Sequence, residues 1–153
     1  MGRLTYRGRR FGIAALAIAG LLIGACGSSS SGQQTAIRVA FFAPIANTYV
    51  AATLKGMNEV SASGGIKITQ FDTGFDPTKE FSQIQDATTS GKFDAFLIIP
   101  LDAVALIPAV QAAIKAGIKV VNTDLIMGTD NTTSKSQIQG QTGSVIKDRK
   151  SVV

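Results

Sequence analysis

Gly91-Lys-Phe-Asp-Ala-Phe-Leu-Ile-Ile-Pro-Leu-Asp102 carries the most informative pattern in the chain. Residues 93–99 are almost continuously apolar, as a strand covered on both faces must be. Gly91 stands where a helix needs a left-handed stop, and Asp102 where the next helix needs an acceptor for its first free N–H groups. A buried strand set between the end of one helix and the start of another is one step of a strand–helix alternation. The same pattern is expected on either side.

Upstream it recurs twice. Residues 37–43 (IRVAFFA) form a first β-rich run, and residues 48–62 a helix whose inner face takes Val50, Leu54, Met57 and Val60. Gly64-Gly65 stops that helix, and residues 66–71 alternate as a half-buried or edge strand. Asp76-Pro77 supplies an N-cap and the proline favoured in a first helical turn. The helix it opens runs to about Ser90, with Phe81, Ile84 and Ala87/Thr88 inward.

Downstream, Asp102 is expected to cap residues 103–116, with regular helix only from Ile107 or Pro108 because of the proline. Gly117 ends it, and residues 118–123 are a fourth strand. Right-handed helical crossovers between such strands give a parallel sheet with helices on both faces. The expected class is α/β, a Rossmann- or flavodoxin-like sheet of order 2-1-3-4. Ligands on these sheets sit beyond the carboxyl ends of the strands at the topological switch, here between strands 1 and 3. That selects residues 43–49, 72–75, 100–102 and 122–124.

The chain has 153 residues, 45% hydrophobic and 16% charged, which suits one domain with a core. Its net charge of +5 is misleading, because Arg3, Arg7, Arg9 and Arg10 precede Cys26 and no acidic residue does. From Cys26 onward the chain is close to neutral, so a groove for nucleic-acid phosphates is unsupported. With no histidine and one cysteine, Ser–His–Asp and Cys–His catalysis, the usual zinc sites and an intrachain disulfide are excluded. Neither Gly-x-Gly-x-x-Gly nor a P-loop follows strand 1, which continues Ala43-Pro-Ile-Ala-Asn47. No catalytic residue, metal or cofactor is expected.

Residues 1–10 carry positive charge and residues 11–25 (FGIAALAIAGLLIGA) are apolar. That run is shorter than the roughly 20 residues a membrane-spanning helix needs, and small residues close it, as in an export signal. Ile23-Gly-Ala-Cys26 resembles the lipobox of bacterial lipoproteins, with Ile23 where leucine is commoner. The resemblance implies cleavage before Cys26 and acylation of its thiol, which anchors the chain to the membrane. The Gly/Ser/Gln stretch over 26–36 reads as a flexible tether.

At the selected sheet edge the polar candidates are Asn47, Tyr49, Asp72, Asp102 and Asp124. Carboxylates and amides bridge paired hydroxyls, and an aromatic face covers the C–H side of a sugar ring. Each has a plainer explanation beside this one. Asn47 and Asp102 are natural helix caps, Asp72 suits a turn, and Tyr49 can pack over a helix start. Asp124, with no helix pattern after it, is hardest to assign a structural task.

Taken together, Asn47-Thr-Tyr49 with Lys55-Gly56, Asp76-Pro-Thr-Lys79 with Gln83-Ile-Gln-Asp86, the 93–102 run, and Ala116-Gly-Ile-Lys-Val-Val-Asn-Thr-Asp124 resemble the first lobe of the ribose/galactose-type (type I) periplasmic binding proteins. The resemblance covers residues 37–124. It implies that Asn47, Tyr49 and Asp124 contact a monosaccharide or related polyol, and that the partner is an ABC permease. Two positions depart from the pattern: Leu125 stands where arginine often follows, and Ile99 where asparagine often precedes the proline. Both lose hydroxyl-directed groups.

The expected organisation is a signal over 1–25, a tether over 26–36, a lobe over 37–140 and a short tail over 141–153. Residues 137–140 resemble the first crossing to a second lobe, so the fragment is expected to bind weakly or not at all. Asp148-Arg-Lys-Ser-Val-Val153 matches one reading frame of a common sequencing adapter and is expected to be non-native. The leading function is an extracytoplasmic, membrane-tethered receptor delivering solute to an ABC importer. Its alternatives are a receptor for a sugar-like signal coupled to a membrane sensor, or a binding protein for a non-sugar solute. A transcription regulator of this fold would need a helix-turn-helix where the export signal stands.

Overall fold

The computed structural model describes residues 35–130, 132–133 and 135–146. The signal over 1–25, Cys26, the tether up to residue 34 and the tail at 148–153 lie outside them. The described elements are β1 (Ile37–Ala43), α1 (Thr48–Ala62), β2 (Ile66–Asp72), α2 (Pro77–Ser90), β3 (Ala95–Ile98), α3 (Ile107–Lys115), β4 (Lys119–Asp124) and β5 (Gly143–Ile146). All neighbouring strands pair in parallel in the order β2-β1-β3-β4-β5.

The order expected for the first four strands is therefore observed, and a fifth strand extends it. Residues 137–140 precede this strand, and the chain after them pairs with β4 in parallel within the same sheet. Two backbone bonds lengthen the short β3 at either end, Asp94 N–H to Arg38 at 2.8 Å and Ile99 N–H to Phe42 at 3.0 Å. The expected run of 93–99 thus engages its neighbour beyond the four residues of regular strand.

Alternation along β1 separates two cores. Ala40 and Phe42 face α2 and α3 in a cluster with Ile84, Phe96, Ile98, Leu106, Val110 and Val120. Phe41 and Ala43 face α1 in a smaller one with Val50 and Ile99. The division follows from handedness: the step from β1 to β2 runs opposite to those from β2 to β3 and β3 to β4, so right-handed crossovers place α1 alone. Phe42 stacks on Phe71 at 4.9 Å and meets Phe96 edge-on at 5.2 Å. Aromatic pairs of this kind contribute about 0.5–1.5 kcal/mol beyond burial.

Val60, assigned inward from sequence, is 54% exposed. At about 100° per residue it lies roughly 80° off the line of Val50, Leu54 and Met57. Ser61 occupies that line instead, and its hydroxyl donates to the Ile66 carbonyl at 2.7 Å. The left-handed stop expected at Gly64 is present, with φ of 89°.

Candidate functional site

Parallel pairing brings the carboxyl ends of the strands to one edge, and the register aligns them. Ala43 stands opposite Asp72, Ile98 opposite Asn122, and Asp124 opposite Ile146. All five sequence candidates stand at this edge: Asp72 and Asp124 end β2 and β4, Asn47 and Tyr49 open α1, and Asp102 lies in the loop after β3.

The polar candidates divide their atoms between two tasks. Asn47, in extended conformation at the N-cap of α1, accepts the Tyr49 N–H on Oδ1 at 2.8 Å. Asp72 accepts the Ile45 N–H at 3.1 Å and the Gly74 N–H at 2.9 Å, both on Oδ1. One oxygen thereby ties the loop after β1 to the loop after β2. Asp102 likewise takes the Val104 and Ala105 N–H groups on Oδ1, at 2.9 and 2.8 Å. In each case the second heteroatom (Nδ2 of Asn47, Oδ2 of Asp72 and Asp102) makes no hydrogen bond among the described residues. A structural and a ligand-directed task are therefore compatible in one side chain.

These N–H groups also hold the carboxylates ionised. The Ile45 and Gly74 N–H groups move Asp72 below the usual aspartate range. Those of Ala105 and Val104 do the same for Asp102.

Tyr49 lies in the first turn of α1 with its side chain 47% exposed. Asp124 is half-buried and left-handed, with φ of 72°. Among the described residues its carboxylate has no hydrogen-bond partner. A non-glycine residue in that region is uncommon and costs free energy.

What holds Asp124 is a network that sequence reading did not show. Asn122 is fully buried, and its Oδ1 accepts from the Gln141 amide and, at 2.5 Å, from the Ser144 hydroxyl. Its Nδ2 donates to the Leu125 carbonyl, closing the turn around Asp124. The Gln141 amide also donates to the Gly143 carbonyl at 2.8 Å. A polar side chain two residues before Asp124, and so on the same side of β4, was the available signal.

Glu80 was also missed. It has no exposed surface, and its Oε2 accepts the Leu101 N–H at 2.9 Å, joining α2 to the loop after β3. Its Oε1 is buried without a hydrogen-bond partner among the described residues. Burial pushes its pKa up to about 7, against the Leu101 N–H and with some help from the Asp102 charge. Its spacing of one turn before Ile84 was the sequence signal. Phe75, left-handed with φ of 59° and 58% exposed, adds an aromatic ring in the loop after β2.

Several known proteins share this architecture. An ABC transporter solute-binding protein from Burkholderia multivorans, whose unknown ligand was built as alpha-D-erythrofuranose, is 26% identical over 62% of this chain and 35% of that one, with a TM-score of 0.55. A Caulobacter myo-inositol-binding protein bound to myo-inositol is 21% identical over 74% of this chain and 34% of its own, with a TM-score of 0.55. The fructose-binding periplasmic domain of a hybrid two-component system is 19% identical over 62% of this chain and 32% of its own, again with a TM-score of 0.55. This chain spans about a third of the length of these structures. No curated protein matches it. The family model described as the periplasmic binding protein domain matches residues 39–142. With the parallel sheet and its polar edge in place, that match settles the family: the chain belongs to the periplasmic binding proteins.

Proposed function

We propose that this chain is the ligand-contacting part of an extracytoplasmic receptor for a monosaccharide or related polyol, which passes its ligand to an ABC permease. One observation carries the reading. At a single sheet edge, Asn47, Asp72 and Asp102 each commit one heteroatom to the backbone and keep the other free, while Tyr49 and Asp124 stand beside them uncommitted. Hydroxyl-rich ligands suit such an edge, since fixed acceptors and donors take the hydroxyls and a ring covers the C–H face.

Asn47, Tyr49 and Asp124 are the proposed direct contacts, with Asp72 and Asp102 flanking them. Ile99 is buried in the α1 core and presents nothing to the edge, whereas Leu125 is 42% exposed. A ligand showing a C–H face rather than a hydroxyl toward Leu125 fits this pair. The lipobox-like sequence supports a further part of the reading, that acylated Cys26 holds the chain on the membrane. No step of this function breaks or forms a covalent bond.

A sensory receptor is the second reading, favoured by the fructose-binding domain of the two-component system that shares the fold. Titration of isotope-labelled chain with a panel of monosaccharides, polyols and amino acids up to tens of millimolar tests the site by NMR. Shifts confined to residues 44–49, 72–75, 100–102 and 122–126 with sugars or polyols are expected. Shifts with amino acids instead, or sugar-dependent shifts confined to residues away from that edge, would refute it. Mass spectrometry of the mature N-terminus tests Cys26 separately. A permease gene beside this one favours transport, and a membrane kinase gene favours sensing.

A further inference from the structure

The opposite end of the sheet, where the strands begin, carries the reverse charge. Arg38 is the second residue of β1 and stands in register with Lys67 of β2. Lys92 lies just before β3, Lys119 opens β4, and Lys115 ends α3; all five side chains are exposed. These are five of the eight basic residues among those described. Asp94 is paired with Arg38 at 2.6 Å, and Asp86 and Glu59 lie toward this end on α2 and α1. The local balance remains positive, in a described region with nine acidic residues against eight basic.

Between the edge strand β2 and α2, the same end opens a groove of about 490 Å³. Phe71 and Phe93 give it apolar walls, and three cations (Lys67, Lys92 and Arg38) stand around it against one carboxylate, Asp86. Neutralising helix C-termini would account for Lys92 and Lys115. It does not account for Lys67, Arg38 and Lys119 at strand starts, nor for an apolar groove among them.

We propose that this pole is a docking surface for anionic phospholipid headgroups, which orients the tethered lobe with its polar edge turned away from the bilayer. The proposal rests on the reading of Cys26 as the anchor. From Cys26 the chain enters β1 at this same pole, after eleven residues. Eleven residues, however arranged, reach under about 40 Å. The cations are therefore held close to a surface whose field extends about 8 Å at physiological salt. Positive residues near an anionic leaflet and an apolar groove for the glycerol region complement it in charge and polarity.

Hydrogen exchange of the full chain reconstituted on vesicles tests this. Loops at 63–66, 91–94 and 115–119 are expected to exchange several-fold more slowly on 30% phosphatidylglycerol than on phosphatidylcholine, with 73–76 and 100–104 unchanged. The difference should vanish in 0.5 M salt and fall at least five-fold in Lys67→Glu/Lys92→Glu. Equal exchange on both lipids, protection at the opposite edge, or the same protection in concentrated lipid-free protein (a second copy on the pole) would overturn it. Flotation separates the two readings. A chain that floats with neutral and anionic vesicles alike yet shows equal exchange loses the pole and keeps the anchor. One that floats only with anionic vesicles keeps the pole and loses the anchor.

Discussion

Glu80 should make this fold less stable as the solution becomes more alkaline through neutrality, and replacing it with glutamine should remove that loss. The carboxyl has no solvent exposure, and burial raises its pKa from 4.5 to about 7. Between those values the folded chain holds a proton that the unfolded chain has released, so stability falls as pH rises. The contribution is intact below about pH 4.5 and fully lost above about pH 7. A shift of this size corresponds to about 3 kcal/mol, from about 1.4 kcal/mol per unit. Glu80→Gln keeps the shape and an oxygen for the Leu101 N–H but cannot ionise. Urea unfolding followed by circular dichroism at intervals from pH 4.5 to 8 measures both chains. Their difference should be small at pH 4.5 and grow to about 3 kcal/mol in favour of glutamine at pH 8. Parallel curves across that range would show that the buried carboxyl does not titrate as argued.

Two more perturbations address the scaffold. Asn122→Ala removes the acceptor shared by the Gln141 amide and the Ser144 hydroxyl and the donor to the Leu125 carbonyl; it should cost about 1–3 kcal/mol in urea unfolding and speed amide exchange at 143–146 before elsewhere. Asp94 accepts from the Arg38 guanidinium and backbone N–H, which lower its pKa from 3.8 to about 2. Its stabilisation is present above pH 3.8 and lost as pH falls through 2, so Asp94→Asn should unfold more readily at pH 6 and lose that deficit in acid titration followed by circular dichroism.

How much of this was legible depended on whether a residue's task showed in local spacing. The first four strands and three helices did, because most stops and starts are written by a neighbouring residue; α3 is the exception, opening at Leu106 with no side-chain cap while Asp102 holds the turn before it. Asp76-Pro77 opens α2, Gly91 closes it with φ of 62°, and Gly117 follows α3 with φ of 88°. The fifth strand did not, since Gly143-Ser-Val-Ile146 has neither alternation nor length, and its pairing leans on Asn122 more than twenty residues back. The rim was legible as a place. Its internal wiring was not: the Asp72 bond to Ile45 spans 27 residues and that of Glu80 to Leu101 spans 21, distances over which spacing carries no signal.

If the proposed receptor function holds, the shared duty of Asn47, Asp72 and Asp102 bears on how its diet changes over generations. A substitution at any of the three that abolishes the inner acceptor loosens a loop before it alters a contact, so drift there is confined to residues that still cap or bridge. Tyr49 and Leu125 hold up nothing comparable and are free to vary in size and polarity. New preferences among small solutes should therefore be acquired first at those two positions, with the three anchors left in place as the frame.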